Sequence, residues 1–540
     1  MNMQRTSEQL GFLDFPLSGL EAAYRAALLV LSGAGLSCGP AFFLRAARSR
    51  NINPTTVRRH MEPPMTTPSR RRWRHPLNHL RLLWRARRFP DSAALSPALR
   101  KELSDWGLWT SRVMVVLFAV LAGWTIVGFT WLTEQALSLF FAGRARVWWA
   151  PLLWTPVCTV AIVWCTRRFA PGAAGSGIPQ VMAALDGAMA PADISRFASL
   201  RLSIAKIVLT AWGLLAGLSL GREGPSVQIA AGLMLQARAL MPKRSAINPH
   251  SLLVAGGAAG IAAAFNTPLA GVMFAIEELA RKPEQRSSGL IIAAIVLAGV
   301  VAVSAHGNST YFGVIHAPAL ELSLLLPGLA VTVAAGVAGG LFARLLLASL
   351  GGEGRDFMSR LRARHPLRFA AVCGLMVAVI GTVTGGAAFG SGYAPTQALV
   401  EGSGELSPLY GLLKFIATWL TTWSGVPAGV FAPSLAIGAA IGHDIAILLH
   451  HPHTPALIAL GMVGFLAAVT QAPLTSFIIV MEMVDGHAMV LSLMACALVA
   501  TVLSRAISPP LYPGLANMQL AGLARLMGKE PETKGATSAS

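Results

Sequence analysis

The chain has 540 residues, of which 54% are hydrophobic and only 12% charged, with a mean hydropathy of +0.59. That composition excludes an ordinary soluble globular protein and places the chain among polytopic membrane proteins. The net charge of +19 would suit a nucleic-acid binder, but much of the excess lies between Arg45 and Arg88, ahead of the first confident apolar run. The positive-inside rule and contact with anionic membrane lipids account for such a distribution, so no nucleic-acid partner is expected.

In chain order, residues 1–105 read as a basic cytoplasmic N-terminal extension, with Met61 and Met65 as competing start sites that would make residues 1–60 an artefact. Ala26 to Leu36, followed by Ser37-Cys38, faintly resembles a signal or lipoprotein site, yet the arginines after it would resist export. Residues 106–523 form a transmembrane domain, and 524–540 a short cytoplasmic tail. Spanning candidates are Val113 to Leu132, Leu152 to Cys165, Leu290 to Val303, Leu324 to Leu347, Phe369 to Val383, Ile437 to Leu449 and Met489 to Leu503. Several are shorter than the roughly 20 residues of a straight span, and many are broken by Gly or Pro. Such runs predict re-entrant or discontinuous helices sheltered by protein. Cys38, Cys158, Cys165, Cys373 and Cys496 lack metal or redox spacing and read as packing residues. His450, His451 and His453, beside Pro452 and Pro455, lack helical order and read as a loop. No metal site and no cofactor are expected.

Three Gly/Pro motifs precede apolar helical stretches: Gly175-Ser176-Gly177-Ile178-Pro179, Gly221-Arg222-Glu223-Gly224-Pro225 and Gly429-Val430-Phe431-Ala432-Pro433. Each reads as a helix start, because proline suits the first turn and glycine permits close backbone approach. The free NH groups and the positive dipole end, about +0.5 charge, face whatever lies beyond, which suits an anion. Partial charges hold an anion while letting it leave. Ser176 adds a hydroxyl donor, and Tyr512 in Pro510-Leu511-Tyr512-Pro513 adds another unless it is an interfacial belt residue. Lys206, inside the apolar run Ile204 to Leu220, either raises the local potential or snorkels to the interface.

Glu223 needs a reason to exist in such surroundings, since a carboxylate at the bilayer centre costs roughly 2.5–3.5 kcal/mol on insertion scales. Ionised, it can imitate and displace the permeant anion; protonated, it can withdraw, which makes a proton-driven gate. The plainer reading is a structural acid satisfied by local NH caps. Glu277-Glu278 ends an apolar helix begun at Pro268, and Arg281 and Lys282 after it suggest a cytoplasmic end. One of these acids is a candidate point where protons enter, although helix-end charges are the reading favoured by spacing alone.

The membrane region also repeats. Gly221-x-x-x-Pro225-Ser226 with Ile229 recurs as Gly429-x-x-x-Pro433-Ser434 with Ile437, and Pro268-Leu269 with Glu277 recurs as Pro473-Leu474 with Glu482. Duplicated halves with a midplane site between broken helices are the build of secondary transporters. The second copy carries Phe431 where the first has Glu223, so only one half holds the acid.

Together GSGIP, GREGP and GVFAP, in this order, resemble the signature segments of the CLC chloride channel and transporter family, over about Trp109 to Leu523. The resemblance implies an all-α polytopic membrane fold of two inverted-topology halves with broken and re-entrant helices, assembled as a homodimer with one pathway per subunit. It implies that Ser176 and Tyr512 coordinate a central chloride with the backbone NH groups of Val430 and Phe431. It further implies that Glu223 is the external gate and Glu278 the internal proton-transfer acid. Gly175, Gly177, Pro179, Lys206, Arg222, Gly224 and Gly429 are supporting residues.

Ser176 is the chloride-type residue, where nitrate-selective relatives tend to carry proline; Pro225 and Tyr512 argue against a fluoride exporter. Glu278 marks proton-coupled exchangers. The expected function is chloride/proton antiport in a prokaryotic inner membrane with cytoplasmic termini, and the alternative is a passive, voltage- or pH-gated chloride channel on the same scaffold. Gln180 and Met182 replace commonly charged positions, which bears on proton coupling more than on anion binding. The short stretch after Tyr512 leaves no room for nucleotide-binding CBS domains, so adenine-nucleotide regulation is not expected. No paired Asp or His cluster suggests an enzyme.

Overall fold

The computed structural model describes residues 106–526, apart from 188, 191, 243–244, 246, 281–287, 308–309, 316–321, 352–356 and 405. The basic extension with Cys38, the Arg281-Lys282 pair and residues 527–540 of the tail lie outside the described residues. Eighteen α-helices and no β-strand occur among the described residues. The first eight are α1 (Trp106–Arg146), α2 (Pro151–Phe169), α3 (Ile178–Ala184), α4 (Leu200–Leu215), α5 (Glu223–Leu240), α6 (Pro249–Phe265), α7 (Pro268–Phe274) and α8 (Ser288–His306). The other ten are α9 (Leu325–Gly351), α10 (Phe357–Arg364), α11 (Pro366–Val383), α12 (Tyr393–Val400), α13 (Tyr410–Ser424), α14 (Phe431–Leu448), α15 (Thr454–Thr470), α16 (Pro473–Met483), α17 (Val490–Ile507) and α18 (Leu511–Leu526).

Among the described residues seven helical segments are long and apolar enough to cross a membrane. The longest, α1, has 41 residues and would measure about 60 Å at 1.5 Å per residue, twice the roughly 30 Å of hydrocarbon, so it must tilt or project beyond it. All seven predicted runs fall on helices. The interrupted segments are the sheltered ones: α6 and α15, of 17 residues each, are buried along almost their whole length. Small residues let them approach their neighbours. A Cβ on Gly260 of α6 would stand 2.5 Å from the Ser226 carbonyl of α5, and one on Gly461 of α15 would stand 2.1 Å from the Gly438 carbonyl of α14.

The repeat is visible in space. α1 packs on α8 as α9 packs on α17, and α5 on α6 as α14 on α15. Asn266 and Gln471 close α6 and α15 in the same left-handed conformation, φ 59° at both, and each stands two residues before the proline that starts the next helix. The halves also cap one another. Glu277 accepts from the backbone NH groups of Leu474 (3.1 Å) and Thr475 (2.7 Å), while Glu482 accepts from those of Leu269 (3.2 Å) and Ala270 (2.8 Å). Each carboxylate thus serves the first turn of the other half's short helix, where backbone donors have no partner of their own. Reciprocal contacts between equivalent residues are what a pseudo-twofold relation produces.

One boundary differs from expectation. The helix begun at Pro268 stays α-helical only to Phe274 and then widens into a π-helical turn over Ala275–Ala280. No Gly or Pro marks the change; the turn lies where Glu277 is anchored to α16. The histidine segment is a loop as expected, with a turn at His450 (φ 48°) and His453 donating its NH to His451 Nδ1 at 3.2 Å.

Candidate anion site

The three Gly/Pro motifs are sewn together by backbone hydrogen bonds. Gly221 and Gly429 exchange two, at 2.8 and 3.2 Å, and Gly175 donates to Val426 (3.3 Å) and accepts from Ala428 (3.2 Å). This joins the starts of α3, α5 and α14. Glycine is required where they touch: a Cβ on Gly429 would lie 2.6 Å from the Gly221 carbonyl, and one on Gly224 would lie 2.3 Å from Ser176 Oγ. Gly177 precedes Ile178 and Pro179 at φ 112°, a conformation that side chains resist.

Ser176, Pro179, Val430 and Tyr512 line one cavity of about 260 Å³. Ser176 Oγ and Tyr512 Oη are buried and close to one another, and among the described residues neither finds a further hydrogen-bond partner. The described backbone bonds also leave the NH groups of Val430 and Phe431 unspent. Buried polar groups in folded proteins are nearly always paired, so hydroxyl and amide donors left with spare capacity around one cavity fit an acceptor-only ligand such as an anion. Phe431 stacks on Tyr512, ring centroids 5.9 Å apart and planes 8° from parallel. Tyr512 is fully buried in the first turn of α18, so the belt-residue alternative does not hold.

Not every helix start is free. Gln180, buried in α3, accepts from Gly177 NH at 2.9 Å and donates to the Ala174 carbonyl. The expectation of free NH groups at all three motifs is therefore corrected at the first, where Gln180 spends one of them as a cap.

Glu223 is fully buried at the first position of α5. Its Oε2 accepts from Ala432 NH, in the first turn of α14, at 3.4 Å, and its Oε1 has no hydrogen-bond partner. The acid thus lies across the start of the other half's helix. Its neighbour Arg222 turns away, donating to Glu134 at 2.7 Å and to Tyr311 Oη at 3.2 Å. Sequence reasoning missed both partners, which come from α1 and from a loop.

Lys206 does not snorkel. It is fully buried, and its Nζ donates to the carbonyls of Ala173 (2.8 Å) and Gly175 (2.6 Å), holding the loop that presents Ser176. Lys414, also missed, does the same in the second half, donating to Ala388 (3.0 Å) and Gly390 (2.8 Å). The repeated Gly-Ser-Gly at 390–392 and a lysine on the second α-helix after it, as in the first half, were the available signal.

Glu278 is buried in the π-helical turn and lines a different cavity, of about 420 Å³, with Thr470, Gln471, Arg505, Ser508 and Pro513. Tyr512 faces the first cavity and Pro513 the second, so the opening turn of α18 divides them. The two adjacent acids both line this cavity, and Glu277 is in addition tied to the start of α16 as its cap. Among the described residues no group of three His, Cys, Asp or Glu could hold a metal, and Cys158, Cys165, Cys373 and Cys496 are free thiols.

Comparison with known proteins agrees with this architecture. The family model described as voltage gated chloride channel matches residues 157–505. The chain is 30% identical over 415 residues to the H(+)/Cl(-) exchange transporter ClcA of Salmonella paratyphi A, covering 73% of this chain and 83% of that one. Identity to ClcA of Cronobacter sakazakii is 29% over 475 residues, 83% of this chain and 95% of that one. The crystal structure of a slow cyanobacterial Cl⁻/H⁺ antiporter matches with a TM-score of 0.67 at 25% identity, covering 76% of this chain and 98% of that chain. A CLC-type fluoride/proton antiporter shares the fold at 22% identity, with a TM-score of 0.62 over 75% of this chain and 97% of that one. Fold, family match and relatives agree that the chain is an integral membrane protein belonging to the voltage-gated chloride channel, or CLC, family.

Proposed function

We propose that this chain is a chloride/proton antiporter, and the observation that carries the reading is the placement of Glu223. The buried Glu223 carboxylate accepts from the Ala432 NH in the first turn of α14, beside a cavity whose hydroxyl and amide donors have spare capacity. Chloride would take Ser176 Oγ, Tyr512 Oη and the NH groups of Val430 and Phe431. Ionised Glu223 competes with it for the start of α14; protonation removes the charge and weakens that hold, so anion passage and proton uptake become linked at one side chain. Gly175, Gly177, Pro179, Gly224 and Gly429 shape the loops, Lys206 fixes the Ser176 loop, and Arg222 sets the outer approach. Glu278, in its separate cavity behind the first turn of α18, supplies protons from the other side, so that ion and proton share only the central part of the route.

The same reading places residues 106–523 in a prokaryotic inner membrane, between a basic extension and a short tail that are both cytoplasmic. It takes the working unit to be a homodimer in contact with membrane lipids, with no enzymatic chemistry. In proteoliposomes carrying a chloride gradient the protein should drive protons uphill, and Glu223→Gln and Glu278→Val should each abolish that movement while leaving chloride flux. Chloride flux with no proton movement in the unmodified protein would replace the antiporter by a passive channel. Uphill pumping that survives either substitution would remove that residue's role.

A further inference from the structure

A third cavity, of about 230 Å³, lies beside the anion vestibule and is lined by Arg167, Ser349, Ser359, Arg362 and Ala363. Arg167 comes from the last turn of α2, Ser349 from the end of α9, and the others from the short helix α10. Arg362 lines both this cavity and the one shared by Ser176 and Tyr512. Among the described residues neither cavity has a carboxylate in its wall, and neither arginine has a salt bridge. Arg362 gives one donor to the Ser349 carbonyl at 3.2 Å. The Ser349 hydroxyl is already engaged, accepting from Trp419 at 2.9 Å and donating to Leu345 at 2.6 Å, and serves as wall.

Two guanidinium groups lining one cavity, with no counter-ion among the described residues, repel one another. Burial depresses the Arg362 pKa from its usual range, and the charge of Arg167 adds to that, while Cys373 opposes it. An anion between them would relieve the repulsion, and guanidinium forks match the oxygens of an oxyanion in a way they do not match a spherical halide. The volume is below the roughly 300–1,000 Å³ of pockets for drug-sized ligands, which suits a phosphate group and not a nucleotide. α10 has the composition of a helix lying at a membrane surface, with Phe357 and Met358 exposed beside Arg360, Arg362 and Arg364.

We propose that Arg167 and Arg362 form a binding site for a phosphate group, free or on a lipid headgroup, next to the anion vestibule. Purified protein in detergent is titrated calorimetrically with inorganic phosphate and, separately, with dioctanoyl phosphatidic acid, at ionic strength fixed with potassium gluconate. Loss of one charge-assisted contact should weaken binding at least about tenfold in Arg167→Gln and in Arg362→Gln. Phosphate binding with that loss supports a free-phosphate site, and binding of the lipid alone with the same loss supports a headgroup site. No binding of either ligand, unchanged affinity in Arg167→Gln, or full displacement by equimolar chloride overturns the proposal. Arg167→Gln decides alone if Arg362→Gln does not fold. Equilibrium binding is read without transport, so a negative result leaves the antiporter reading standing.

Discussion

Replacing Gly224 by alanine tests the anion site at its tightest point. The new methyl carbon would stand 2.3 Å from Ser176 Oγ, 2.9 Å from the Ser176 carbonyl and 3.4 Å from Gly429 Cα. The hydroxyl can swing aside, but the carbonyl overlap stays, so Ser176 must leave its position in the cavity. Losing one hydrogen bond to an ion removes about 1.5–3 kcal/mol, or roughly ten- to one-hundredfold in chloride affinity. Overpacking adds about 1–3 kcal/mol of lost stability. Ser176→Ala alone should cost similar affinity, and because it deletes the atom in closest overlap, the double variant should lose less than the sum. Calorimetric chloride titration of the four proteins, with melting curves alongside, measures both effects. Wild-type chloride affinity in Gly224→Ala, or losses that add to within about 0.5 kcal/mol, would refute the placement of Ser176 as an anion ligand.

The two buried lysines separate structure from function. Lys206→Met and Lys414→Met each strip two buried carbonyls of their donor, at about 1–3 kcal/mol per group, and both should melt earlier. Only Lys206→Met should also weaken chloride binding, because only its loop presents Ser176; equal losses of affinity in both would contradict that. The reciprocal caps give a second pair. Glu277→Gln and Glu482→Gln should each lower stability by about 0.5–2 kcal/mol, read by thermal melting, with the proton-to-chloride ratio unchanged. Loss of coupling in Glu277→Gln would move the proton role away from Glu278.

The helix starts were legible because their causes are local. Glycine and proline at 175–179, 221–225 and 429–433 act within one turn, and the structure begins α3, α5 and α14 there. The cross-half pairing of Glu277 and Glu482 was legible only as a match in spacing; that each caps the other's helix needed the fold. Gln180 read as a missing charge, whereas in place it is a cap whose partners are the backbone of its own loop. The π-helical turn that carries Glu278 left no trace, since no residue within it breaks an α-helix.

Composition, interrupted apolar runs and the repeat by themselves determined a membrane protein built from two matched halves of broken helices, with one unpaired acid in only one half. They report what each segment prefers and how often a preference recurs. Tertiary structure decided what each polar group meets: Lys206 faces two carbonyls and not the interface, Tyr512 is buried beside Ser176, and Glu223 lies on the helix start of the other half. The physical reason is that a buried charge or hydroxyl takes its meaning from its partner, and here most partners come from segments far apart in the chain.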